Sequence, residues 1–173
     1  TGIRAATELL MDDDDMPKDV KNQFLKNILQ DSDRLARLIN NILDFEKLET
    51  GRLNLDKQPN NLQKTIEKAI ASIQQIAAKK NIKILNKTAH KTTIPYDEDR
   101  ILQVLTNLLS NAIKFCPAEN GKVTVDFRLG NGEVEVLVKD NGKGIPEEDH
   151  DYIFDGFYQS QHQNTIKPQG SGL

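Results

Sequence analysis

Apolar residues recur at steps of three and four along the first fifty positions, and after residue 60 that rhythm alternates with a strict every-other-residue one. The opening segment "GIRAATELL" reads as a helix, which "DDDDMP" ends through like-charge repulsion and Pro17. From Lys18 to about Thr50, the positions Phe24, Ile28, Leu35, Leu38, Ile42 and Phe45 are four, seven, three, four and three residues apart. This is heptad a/d spacing, with Asp31 standing in one d position. Leu25, Ile39 and Leu43 widen the stripe beyond a two-stranded seam, which predicts that two copies of the hairpin join as a four-helix bundle. The alternative is that the stripe packs on the remainder of the same chain.

Gly51 is a helix stop, and "GRLNLDKQPNN" reads as an alternating strand followed by a polar, proline-bearing link. The expected division is therefore a helical hairpin over 1–51, a linker over 52–60 and a second domain over 61–173. Within that domain the pattern predicts a helix from Leu62 to Lys80, strands near Ile82–Asn86 and Thr92–Pro95, and a helix from Asp97 to Phe115. "KVTVDFRLG" and "EVEVLVKD" then read as a hairpin turning at Gly130-Asn131-Gly132. The class is α+β: a helical hairpin followed by an α/β sandwich, with helices on one face of a mixed sheet.

Composition narrows the partners. The 173 residues are 37% hydrophobic, enough for a core, and the net charge of −3 makes nucleic acid a poor partner. The single cysteine, Cys116, excludes an internal disulfide and a cysteine-based zinc cluster. No apolar run reaches the roughly 20 residues that cross a bilayer, and no basic-then-apolar signal segment opens the chain, so no membrane contact by this stretch is expected. Both ends read as cut from a longer polypeptide.

Candidate chemistry concentrates in two places. Asn107 and Asn111 stand four apart with Lys114 three beyond, which puts two amides and an amine on one face of a helix that Ile101, Leu102, Leu105, Leu109 and Ile113 anchor by the other. Amide oxygens suit Mg²⁺ and an ammonium suits phosphate, although the same trio is also an ordinary solvated face. The second place is "DNGKGIP", where Asp140 ends a strand and Gly142 and Gly144 allow positive φ and close approach to a flat ligand. A carboxylate there can accept from an exocyclic amine and so select adenine over guanine; the plainer alternative is a strand-to-helix turn with Glu147 and Glu148 in a helical first turn.

In this order, "NLLSNAIKF", "DNGKGIP", "FDGFY" and "GSGL" resemble the N, G1, F and G2 boxes of the sensor histidine kinases of two-component systems. The resemblance covers essentially the whole chain. It implies a dimerisation and phosphotransfer hairpin followed by a catalytic ATP-binding domain of the fold shared with gyrase and mismatch-repair ATPases. It further implies Asp140 as adenine-amine acceptor and Asn111 as the Mg²⁺ ligand. Asn107 would lie near the metal and reacting phosphate and Lys114 at the phosphates, with Gly142, Gly144, Ile145 and Phe115 bordering the nucleotide. Phe154 and Phe157 match the box that seats a mobile lid, and Gly170, Ser171, Gly172 and Leu173 match the glycine-rich phosphate segment. Read alone, the phenylalanines are equally core aromatics and "GSG" a linker fragment.

The implied ligands are ATP and Mg²⁺. The implied partners are a second copy of the chain and the receiver domain of a response regulator, and the implied place is the cytoplasmic part of a parent that some members anchor in a membrane. The family's phosphoacceptor histidine stands in a box resembling HELRTP just upstream of the segment matched by "TGIRAATELL", and its catalytic domains continue past the segment matched by "GSGL". His90, His150 and His162 lack that context and read as solvent-exposed; His150, among Glu147, Glu148, Asp149 and Asp151, reads as part of an acidic solvated segment rather than a metal site. The alternatives to an active kinase are a catalytically inactive dimeric platform, a gyrase-type ATPase or a serine kinase on the same fold.

Overall fold

Helix α1 (Gly2–Asp12) and helix α2 (Lys18–Glu49) are separated by a segment that Pro17 closes, its carbonyl accepting from the Lys21 N–H as α2 begins. Proline suits a helix entrance because the N–H it lacks would have no partner there. The structure is a computed structural model describing residues 2–13, 15–88, 92–156 and 158. It divides into two units: residues up to Leu53 together with the described residues from Asp149 onward, and Asn54–Glu148.

In the first unit α1 packs on α2, burying Ala6. The partly covered positions of α2 include Phe24, Ile28, Asp31, Leu38 and Phe45, spaced by four, three, seven and seven. Asp31 therefore occupies its heptad position rather than leaving it. A second stripe stays exposed: Leu25, Leu29, Leu35, Ile39, Ile42 and Leu43, with Leu29 at 64% and Ile39 at 57%. The helix ends with the Gly51 N–H donating to the Leu48 carbonyl and the Arg52 N–H to that of Lys47, the paired bonds of a Schellman motif. Beyond Asp149 the chain folds into consecutive turns, tied by the Tyr158 hydroxyl, which donates to the buried Asp149 at 2.6 Å. Gly156 lies against the Phe45 ring; a Cβ there would fall 2.8 Å from its Cε2.

The second unit is built on α3 (Leu62–Lys79) and α4 (Glu98–Phe115). Strands β1 (Gln58–Asn61) and β3 (Thr93–Tyr96) pair antiparallel as a ribbon. Strands β2 (Lys83–Asn86), β4 (Lys122–Gly130) and β5 (Glu133–Asp140) form a mixed sheet in the order β2-β4-β5, the first pair parallel and the second antiparallel. Val123, Val125 and Phe127 alternate onto one face of β4 and join Leu62, Ile66, Ala69 and Ile73 of α3 and Leu105, Leu109 and Ile113 of α4 in one core. Both helices begin on a side-chain cap: Asn61 Oδ1 accepts from the Lys64 N–H and Asp97 Oδ1 from the Arg100 N–H, each at 3.1 Å. Asn131 and Gly132, both at positive φ, turn β4 into β5.

Three expectations change. The alternating "RLNL" segment is not a strand; the strand is the polar "QPNN", because pairing with β3 decides it and Leu55, 48% exposed, has no apolar layer to enter. The sheet comes in two pieces, the ribbon apart from the three-stranded part. The helix expected at Glu147 is a single 3₁₀ turn, Glu147–Asp149. Among the described residues no helix is long and apolar enough to cross a membrane.

Candidate functional site

Helix α4 turns Leu105, Leu109, Ala112 and Ile113 into the core, and the same periodicity leaves Asn107, Asn111 and Lys114 exposed. Those three stand on one face as expected, in line towards the C-terminal end of the helix. There the Lys114 ammonium lies 4.8 Å from the centroid of the half-buried Phe115 ring, a cation–π distance.

The strand end meets that helix end. Asp140, the last residue of β5 and register partner of Val123, is exposed, and its Oδ1 accepts from the Gly142 N–H at 2.7 Å. Gly142 presses on α4: a Cβ built on it would fall 2.6 Å from the Phe115 carbonyl oxygen. The expected positive φ occurs at Gly144 (76°) and not at Gly142, whose glycine serves close approach instead. A Cβ at Gly144 would meet nothing within 4 Å, and Ile145 beside it is 51% exposed.

The structure thus brings Asp140, Gly142, Phe115 and Lys114 to one end of α4, with Asn107 and Asn111 along the same helix. Phe154 is 91% exposed and belongs to the first unit. Phe157, Gly170, Ser171, Gly172 and Leu173, as well as His90 and His162, lie outside the described residues. His150 is exposed, and among the described residues no three His, Cys, Asp or Glu side chains gather to hold a metal.

Two residues at this end carry contacts that sequence reasoning did not assign. Asn141 Oδ1 accepts from the Lys122 N–H at 2.7 Å and its Nδ2 donates to the Asn120 carbonyl at 2.9 Å. Cys116 is half-buried, with Sγ 3.7 Å from the Lys122 carbonyl and 3.6 Å from Asn141 Oδ1. The available signal was the Asx propensity of "DNG", which marks a turn without telling which backbone groups the amide reaches.

The resolved electrostatic perturbations belong to the opposite end of α4. Lys68 donates to Glu98 Oε1 at 2.8 Å, and Thr65 donates to the same oxygen at 3.0 Å. With the one hydrogen of Thr65 committed there, the Tyr96 hydroxyl at 2.7 Å donates to Thr65. The bond from Lys68, followed by that from Thr65, holds the Glu98 carboxyl below its ordinary value, and the Lys68 ammonium is raised in turn. Asp97 is lowered chiefly by the Arg100 N–H, while burial leads in pushing the Tyr96 phenol up. These groups fix where α4 starts. The site itself is left as exposed amides, an amine and one carboxylate, which can bind a polar ligand along the helix and accept a hydrogen bond at its end.

Two family models match, in chain order. Residues 1–51 match the His Kinase A (phospho-acceptor) domain, and residues 96–173 match the Histidine kinase-, DNA gyrase B-, and HSP90-like ATPase. The chain is similar to the Hybrid signal transduction histidine kinase K of Dictyostelium discoideum, 31% identical over 99% of this chain and 15% of that protein. It spans between 11% and 19% of the length of the first curated relatives it matches. Among solved structures it resembles full-length ShkA in complex with AMPPNP, with a TM-score of 0.76 and 25% identity over 99% of this chain and 35% of that one. It also resembles histidine kinase ThkA in complex with the response regulator protein TrrA, with a TM-score of 0.63 and 26% identity over 92% and 47%.

Proposed function

The chain belongs to the sensor histidine kinases, and on that premise we propose that it is the ATP-dependent core of a two-component signalling protein. In this reading it binds ATP with Mg²⁺, passes the γ-phosphoryl group to a histidine imidazole, and relays it to an aspartate of a response regulator. One observation carries it: the Asp140 turn is packed through Gly142 on the end of the helix whose exposed face holds Asn107, Asn111 and Lys114. Adenine would meet the carboxylate, and the phosphates would run along the polar face.

Each residue has a role that its chemistry fits. Asp140 accepts from the adenine amine; Gly142, Gly144, Ile145 and Phe115 border the base. Lys114 meets phosphate as a point charge, and Asn107 orients the reacting groups. Asn111 offers a hard amide oxygen on an exposed helix face with room for the waters Mg²⁺ retains, so the donor set fits that ion, which would neutralise phosphate charge. Transfer breaks the bond from the γ-phosphorus to its bridging oxygen and forms one to an imidazole nitrogen. None of the three histidines falls in the matched residues 1–51, so none is assigned as the acceptor. By their match to the family's boxes, Phe154 and Phe157 would seat the lid, and Gly170, Ser171, Gly172 and Leu173 would meet the phosphates.

Two partners follow. The uncovered stripe on α2 and the match to the phospho-acceptor domain support a homodimer through a four-helix bundle. The likeness to ThkA, solved with a response regulator, supports a receiver domain as second partner. The test is calorimetric titration with ATP, with and without Mg²⁺. Saturable binding is expected, weakened about tenfold or more by Asp140→Asn through loss of a charged acceptor. Equal binding by both proteins would remove the adenine role of Asp140.

A further inference from the structure

A carboxylate discriminates between ligands only where its surroundings hold it in place. Asp140 ends its strand, and beyond it the chain turns at once into a glycine-bearing loop. What holds that end is the next residue. The Asn141 backbone N–H donates to the Lys122 carbonyl at 3.2 Å, while its side chain accepts from the Lys122 N–H at 2.7 Å and donates to the Asn120 carbonyl at 2.9 Å. One amide therefore ties three pieces of backbone: the strand end at Asp140, the first residue of β4, and the turn before it, where Asn120 stands at φ 59°.

That turn is itself closely packed. A Cβ on Gly121 would meet the Pro117 carbonyl at 2.7 Å and Ile82 at 2.8 Å, so the partners of Asn141 have little room to shift. Apart from the Cys116 thiol, 3.6 Å from its Oδ1, its side-chain partners along this edge are backbone groups, and the task needs an acceptor and a donor on one short side chain. Among uncharged residues of that length only asparagine supplies both at this spacing. Gly142, following directly, gives its N–H to Asp140 Oδ1, so fixing residue 141 also fixes the donor that orients the carboxylate.

We propose that Asn141 is a positioning residue whose side chain holds the Asp140 carboxylate in line with the ligand's amine and thereby sets selectivity for adenine over guanine. This rests on the reading of Asp140 given above. Guanine carries a carbonyl where adenine carries its amine, so a fixed carboxylate faces an oxygen and repels it. A carboxylate free to swing away accepts adenine less well and rejects guanine less firmly.

The experiment measures ATP and GTP affinities by competition against a fluorescent ATP analogue for the wild type, Asp140→Asn, Asn141→Ala and the double variant. Asn141→Ala is expected to lower the ratio of ATP to GTP affinity about tenfold, the scale of one oriented hydrogen bond, while the fraction of binding-competent protein is unchanged. In the Asp140→Asn background it is expected to add little, because the two residues act as a unit. Asn141→Ser, which keeps turn propensity but cannot span both partners, is expected to give the same loss and stands in should the alanine variant fold poorly. An unchanged ratio, including equal weakening of both nucleotides, overturns the proposal and leaves Asn141 a structural residue. A wild type that binds neither nucleotide, or a ratio untouched by Asp140→Asn, instead overturns the adenine reading on which this inference stands.

Discussion

Gly130 and Gly142 differ in what a methyl group would meet. At Gly142 it would press on the Phe115 carbonyl at 2.6 Å and on Asp140 Oδ1 at 2.7 Å; at Gly130 it would meet nothing within 4 Å. Gly142→Ala is therefore expected to cost about 1–3 kcal/mol by overpacking against backbone, and Gly130→Ala less than about 0.5 kcal/mol. Urea denaturation of both variants checks this; equal costs would mean that the contact at Phe115 is not tight. Of the candidate residues, Asn107, Asn111 and Lys114 were legible in the sequence because helical spacing alone puts them on one face. Asn141 was not legible, because its partners, Lys122 and Asn120, are backbone groups about twenty residues back that only the β4–β5 register brings beside it.

At the level of elements, α4 is set at its start by ionised groups. Glu98 has its carboxyl lowered first by the Lys68 bond, so its contribution is present above the ordinary carboxylate range near 4 and fades as pH falls through the lowered value. Lys68 is raised, so its contribution is complete below the ordinary lysine range and fades only as pH rises past it. Between those limits the pair supports the packing of α3 on α4. Glu98→Gln is expected to lower the urea midpoint modestly at pH 7, by an amount that shrinks as pH is taken down through the lowered carboxyl value; a difference that did not shrink as pH fell would show that charge is not its source. The helices were legible because apolar spacing at steps of three and four is a local signal, as at Leu105, Leu109 and Ile113 of α4. Strand β1 was not, since "QPNN" has no strand propensity and forms only because "TIPY" offers it an antiparallel edge.

For the whole molecule, the exposed stripe from Leu25 to Leu43 on α2 leaves six large apolar side chains without cover among the described residues of the first unit. Ile39→Glu is expected to move sedimentation equilibrium from dimer towards monomer, since a carboxylate in a closed helical seam loses its water without gaining a partner. A variant that dimerised like the wild type would put the interface elsewhere. The discontinuity of the first unit was not legible at all, because a contact between Phe45 and Gly156 leaves no periodic trace. That contact also has a consequence for how the protein is made. Helix α2 leaves the ribosome before residues 54–148, and its seat for Gly156 stays empty until the whole of that stretch has followed. Closing so long a loop costs little more entropy than closing one half as long, so the delay is one of synthesis order rather than of stability. The helical pair must wait, with Phe45 uncovered, while the second unit folds in between.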